Sequence, residues 1–135
     1  MTRMTPQGMT VLQSKYGPHE TANRLISALS ARGMTLMARV DHAAAAKDAG
    51  MELRPTEVLI FGNPKGGTPL MQAAQTSGID LPLKALIWLD ADGRTWLGYN
   101  EPAWLVERHA IAVGESVLTA MREALAAIAR DAAGG

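Results

Sequence analysis

The sequence predicts an α+β fold, a mainly antiparallel five-stranded sheet with helices packed on one face. Three observations carry that expectation. Apolar and polar residues alternate through Met34–His42. Asp92-Gly93 sits between two alternating apolar runs, a strong signal for a two-residue hairpin. A long amphipathic stretch, about Glu115–Ala132, then closes the chain.

Each element has its own signal. Met9–Lys15 reads as a first strand centred on Thr10, Val11 and Leu12. Gly17-Pro18 opens a helix with Glu20 in its first turn, and Ala22, Leu25, Ile26 and Leu29 form its apolar stripe. Gly33 is the natural left-handed stop. In Met34–His42, Met34, Leu36, Ala38 and Val40 share one face, and Thr35, Met37, Arg39 and Asp41 the other. Ala43–Ala49 has high helix propensity and ends at Gly50. The continuous apolar run in Thr56–Phe61 suits a central strand buried on both faces.

Thr68 caps the next helix, Pro69 takes its first position, and Gly78 closes it after about Thr76. Ala85–Ala91 and Arg94–Asn100 form the hairpin. A two-residue loop sets Leu89 opposite Trp96, Trp88 opposite Leu97 and Leu86 opposite Tyr99. The two tryptophans then point to opposite faces. Pro102 starts a helix through His109, and the final helix buries Val117, Leu118, Met121, Leu125 and Ile128. The order is β-α-β-(short α)-β-α-β-β-α-α.

Composition narrows the function. The 135 residues suit one domain, 9–133, with residues 1–8 and 134–135 as flexible termini. Lys plus Arg equals 13 and Asp plus Glu equals 13, so no cationic surplus serves a nucleic-acid or anionic membrane surface. The chain has no Cys, which removes disulfides, thiolate nucleophiles and Cys-based metal sites. Its apolar runs are far below a membrane span and no signal peptide is evident, so the expected location is cytoplasmic.

Several motifs, in order, carry a resemblance. They are Val40-Asp41-His42-Ala43, Leu53-Arg54-Pro55-Thr56, Leu59-Ile60-Phe61-Gly62-Asn63-Pro64-Lys65 and Gly67-Thr68-Pro69-Leu70-Met71. Asp80-Leu81-Pro82-Leu83-Lys84, Tyr99-Asn100 and Arg108-His109 follow. Over Val40–His109 the chain resembles domain-of-unknown-function family 302, a bacterial and archaeal family. The resemblance implies a TATA-binding-protein-like fold, β-α-β4-α, and a homodimer. It brings no activity with it, and a fold name alone confers none.

Two stretches could carry chemistry. His42 could serve as general acid/base with Asp41 or Asp80, although it could equally cap the next helix. Phe61-Gly62-Asn63-Pro64-Lys65-Gly66-Gly67-Thr68-Pro69 is a strand, a Gly-rich turn and a helix start. Free N–H groups there, with Lys65, could hold a phosphate or carboxylate. The Walker spacing is absent, and a purely structural turn is the competing reading. His109 sits where it would favour a helix C-terminus. His19, His42 and His109 show no short ligand spacing, so no metal site is assigned. The cofactor is unknown.

The leading expectation is a homodimeric module binding a small anionic or polar ligand. Asn63, Lys65, Gly66, Gly67, Thr68 and Tyr99 are its candidate ligand-binding residues, with His42 in the same groove wall. The alternatives are a small enzyme using His42, Asp41 and Asp80, or a metal-binding domain. Nucleic acid and membrane are not expected partners.

Overall fold

The structure is a computed structural model that describes residues 5–135. Five strands, β1 (Met9–Ser14), β2 (Thr35–Asp41), β3 (Thr56–Gly62), β4 (Leu83–Leu89) and β5 (Thr95–Asn100), form one antiparallel sheet. Their spatial order is β1-β5-β4-β3-β2. The helices are α1 (Pro18–Ala31), α2 (His42–Asp48), α3 (Pro64–Ala73), α4 (Pro102–Arg108) and α5 (Glu115–Ala133), with a 3-10 turn over Gln75–Ile79. The α+β architecture with short inserted helices is as the sequence predicts.

The main core lies between one sheet face and the crossing of α1 with α5. Leu59, Phe61, Ile87 and Leu97 supply the sheet side, and Leu25, Leu29, Leu125 and Ile128 the helix side. Ala22, Ala129 and Ala132 are also buried there, small side chains that let the two helices approach closely. A second cluster of Leu70, Leu105 and Ile111 gathers α3 and α4 beside this core. Val117, expected on the inner stripe of α5, is half exposed; the burial of that helix shifts toward Ala129, Ala132 and Ala133.

Two register details differ from expectation. A bulge between Leu36 and Ala38 breaks the alternation of β2. Leu36 pairs with Phe61 and Arg39 with Leu59, so both lie on the helix-covered face, while Ala38 and Val40 turn to the other. In the hairpin, Trp88 pairs with Trp96 and Leu89 with Thr95. The two tryptophans therefore share the face away from the helices. The physical cause is Asp90, whose Oδ1 accepts the N–H groups of Asp92 and Arg94, both at 2.9 Å. That cap lengthens the loop and slips the register by one residue, which exchanges faces. β3 is an interior strand as expected, paired with β2 and β4, and β4 lies at the middle of the five.

The third helix also starts elsewhere. Asn63, not Thr68, is its N-cap, and Pro64 takes the first position. Pro69 falls inside the helix, which ends at Ala73 before the 3-10 turn.

Of the expected flexible termini, residues 1–4 lie outside the described residues. Gly8 and Gly134 are held by hydrogen bonds. The Gly8 carbonyl accepts from the Glu101 N–H at 2.7 Å, and the Gly134 N–H donates to the Arg130 carbonyl at 2.9 Å.

Candidate functional site

Two features converge at the end of the sheet where β3 ends and β4 begins. The first is a cavity of about 260 Å³. Met34 and Met37 form its β2 side, and Asn63, Gly66, Gly67 and Thr68 the first turns of α3. Met71, the cis-linked Leu81-Pro82 segment and, from α5, Met121 complete the wall. Four thioether side chains thus line a space whose α3 wall contains two glycines. Unbranched Met side chains adapt to irregular ligands and favour apolar and aromatic groups.

The second feature is a polar cluster that begins one residue before Leu81. Arg108 Nη1 donates to both Asp80 carboxylate oxygens, at 2.9 and 2.8 Å. His109 Nε2 lies 2.5 Å from Asp80 Oδ2, and His109 Nδ1 lies 2.9 Å from Thr76 Oγ1. Lys84 Nζ donates to the carbonyls of Asp80 and Pro82 at 3.3 and 3.1 Å, securing the same segment. Arg108 also lies over the Trp104 ring, 5.6 Å from its centroid. Burial alone would raise the Asp80 carboxyl, but the His109 hydrogen bond and the Arg108 charge outweigh it and hold it below the usual carboxylate range.

The expected groove does not assemble. Along β3, Asp41 pairs with Glu57 and Thr35 with Gly62, so the His42 end and the Asn63 end lie about 17 Å apart. His42 is exposed at the first position of α2. Asp41 accepts the Ala44 N–H at 2.9 Å, the helix-capping role that was the competing reading for His42. Asp80 lies beyond the Leu83 end of β4, whereas Asp41 lies near Ile87, about 14 Å along the strand. Asp80 therefore pairs with His109 and not with His42. Tyr99 is buried in the main core on β5, away from the cavity lining. Burial and the Glu101 charge raise its hydroxyl pKa, against the opposing Thr10 hydrogen bond and the Arg130 and Arg122 charges.

The Gly-rich turn lacks the free donors that an anion cradle needs. Pro64 has no N–H, Asn63 Oδ1 accepts the Lys65 N–H at 2.9 Å, and the Asn63 carbonyl accepts from Gly66 and Gly67 at 2.9 and 3.1 Å. The turn caps itself. Lys65 is exposed and does not line the cavity. Of the candidate ligand residues, Asn63, Gly66, Gly67 and Thr68 do line it. Among the described residues, no group of three or more His, Asp or Glu side chains is placed to hold a metal ion.

Sequence reading missed His109 as the partner of Asp80. The two are 29 residues apart, and no short motif joins them. The methionine lining was equally hidden, because Met34, Met71 and Met121 sit on three separate segments.

Comparisons with known proteins agree with this architecture. The chain is 42% identical over 135 residues to the fluoride-specific ion channel FluC 1 of Brucella suis biovar 1 (strain 1330), covering 99% of this chain and 53% of that protein. It is likewise 42% identical to the FluC 1 of Brucella abortus biovar 1 (strain 9-941), of which it covers 50%. The chain thus spans about half the length of the curated relatives it matches. Among the described residues, no helix is long and apolar enough to cross a membrane. The crystal structure of an uncharacterized conserved DUF302 protein from Bacillus stearothermophilus superposes with a TM-score of 0.83 at 20% identity, over 94% of this chain and 99% of that one. With the family described as Domain of unknown function DUF302 matching residues 10–128, the chain belongs to that family.

Proposed function

We propose that this domain is a small-molecule binding module whose ligand is apolar, seated in the methionine-lined cavity beside α3. One observation carries the reading: a cavity of about 260 Å³ bounded by four methionines and by glycines of the α3 turn. A space near the lower end of ordinary ligand pockets suits a compact ring or short acyl chain. The self-capped turn argues against the anionic ligand that the Gly-rich turn and Lys65 first suggest. Asn63 and Thr68 at the wall would orient a single polar group on the ligand.

Gly67→Leu tests the reading. A Cβ at this position would meet Leu81 and Met71 at 3.9 Å, so a larger side chain grows into the cavity without backbone conflict. Indole and a short-chain alcohol serve as probes in calorimetric titration. The expected result is binding by the wild-type chain and at least tenfold weaker binding by the variant, with helical content unchanged. Equal affinity in both proteins, or none in either, overturns it.

A second reading concerns the channel-named relatives. About half of each such protein corresponds to this fold, which offers no membrane-crossing helix among its described residues. We infer that ion conduction in those proteins belongs to their other half and that the matching half is an appended sensing domain. Fluoride efflux from liposomes reconstituted with this chain alone should equal that of protein-free liposomes; efflux above that background would refute the assignment.

A further inference from the structure

We propose that Thr76, His109 and Asp80 form an acyl-transfer site. Thr76 is the nucleophile, His109 the general base, Asp80 the positioning residue, and activated acyl compounds such as aryl esters are the substrate class. The inference is independent of the ligand reading, because Thr76 does not line the methionine cavity.

The geometry is that of a hydroxyl–imidazole–carboxylate relay. His109 Nε2 donates to Asp80 Oδ2 at 2.5 Å. With the ring proton on Nε2, Nδ1 accepts from the Thr76 hydroxyl at 2.9 Å. A nucleophile within hydrogen-bond reach of a base, and a base held by a third group, is the arrangement that activates an otherwise weak hydroxyl. Arg108 grips both oxygens of Asp80, so the carboxylate cannot rotate away from the imidazole. The His109 and Asp80 side chains are only 7% and 13% exposed, while Thr76 is exposed to solvent. Ala110, directly after His109, holds a left-handed φ of 51°. It is the left-handed residue that ends α4 just after the His109 cap, and the Ile111 N–H bonds back to the Val106 carbonyl at 3.0 Å, which fixes where the His109 ring leaves the helix.

The chemistry balances. Thr76 Oγ bonds to the acyl carbon while the bond from that carbon to the aryloxy oxygen breaks. The Thr76 proton passes to His109 Nδ1 and then to the departing oxygen. Water attacks the acyl carbon, the bond from that carbon to Thr76 Oγ breaks, the water proton passes through His109 Nδ1 to Thr76 Oγ, and the acid is released. An aryl oxide leaves readily, which suits a site where the relay supplies most of the assistance.

The experiment uses the full chain with p-nitrophenyl acetate, following p-nitrophenolate release and locating the acetyl group by peptide mass analysis. The wild-type chain should react at least tenfold faster than Thr76→Val, a modest share of what general-base catalysis provides. The acetyl group should sit on Thr76, and Thr76→Ser should retain the reaction. Asp80→Asn should lower the rate and change its pH profile, a readout that a purely structural carboxylate would leave unmoved. Thr76 is exposed, so Thr76→Val should fold normally, with circular dichroism as the check. Reaction of Thr76→Val within twofold of wild type, or acetylation confined to lysines, overturns the proposal.

Discussion

The Asp80 carboxylate and the His109 imidazole, 29 residues apart in sequence, meet at 2.5 Å and join the start of the β4 approach to the end of α4. The same carboxylate takes both hydrogen bonds from Arg108. Asp80 therefore fixes the segment that continues into Leu81 and Pro82, two residues of the cavity wall. Positioning of the wall and holding of the imidazole depend on one side chain.

Asp80→Asn should cost about 2 kcal/mol at neutral pH, the scale of lost charge-assisted hydrogen bonds. The pH dependence has a definite sign. The Asp80 carboxyl lies lower in the folded chain than in the unfolded one, so its contribution is present above about pH 4 and is lost as pH falls through the lowered value. Urea denaturation at pH 7 and pH 3 checks this. Wild type should lose more stability between the two than Asp80→Asn.

Leu59→Ala should destabilise by about 2–5 kcal/mol. Leu59 is 0% exposed and sits among the sheet and helix side chains of the main core. Leu53→Ala, at a half-exposed position, should change stability by less than about 0.5 kcal/mol. The difference between the two urea midpoints tests where the core lies.

Gly8→Ala should destabilise by about 2 kcal/mol or more. Gly8 has a left-handed φ of 83°, and an added Cβ would stand 2.4 Å from Trp104 Cγ. The dihedral alone costs about 1 kcal/mol in a residue with a Cβ, and the ring must also move. The Trp104 environment should change with it, which near-ultraviolet circular dichroism detects.

Ser77→Ala should be neutral or stabilising, by up to about 1 kcal/mol. Ser77 is fully buried, and its hydroxyl has no hydrogen-bond partner among the described residues. Removing an unsatisfied buried polar atom relieves a desolvation cost. A clear loss of thermal stability would indicate that the hydroxyl is satisfied in solution.

The sequence by itself determined the element order, the α1 start at Gly17-Pro18, the apolar stripe of α1 and the family. These are local or motif signals, because a helix face or a strand run is written in neighbouring residues. Register was less accessible. One capping side chain, Asp90, moved the hairpin by a residue and brought Trp88 and Trp96 to the same face. One bulge did the same to β2. Period-2 patterns cannot reveal either, since a single extra residue inverts every later side chain.

Tertiary structure alone decided which candidate residues meet. It separated His42 from Asp80 and Asn63, used the α3 donors within their own turn, and paired Asp80 with His109. It also gathered Met34, Met71 and Met121 from three segments around one space. Such groupings depend on how strands and helices cross in three dimensions, and residues far apart in the chain carry no local mark of that meeting.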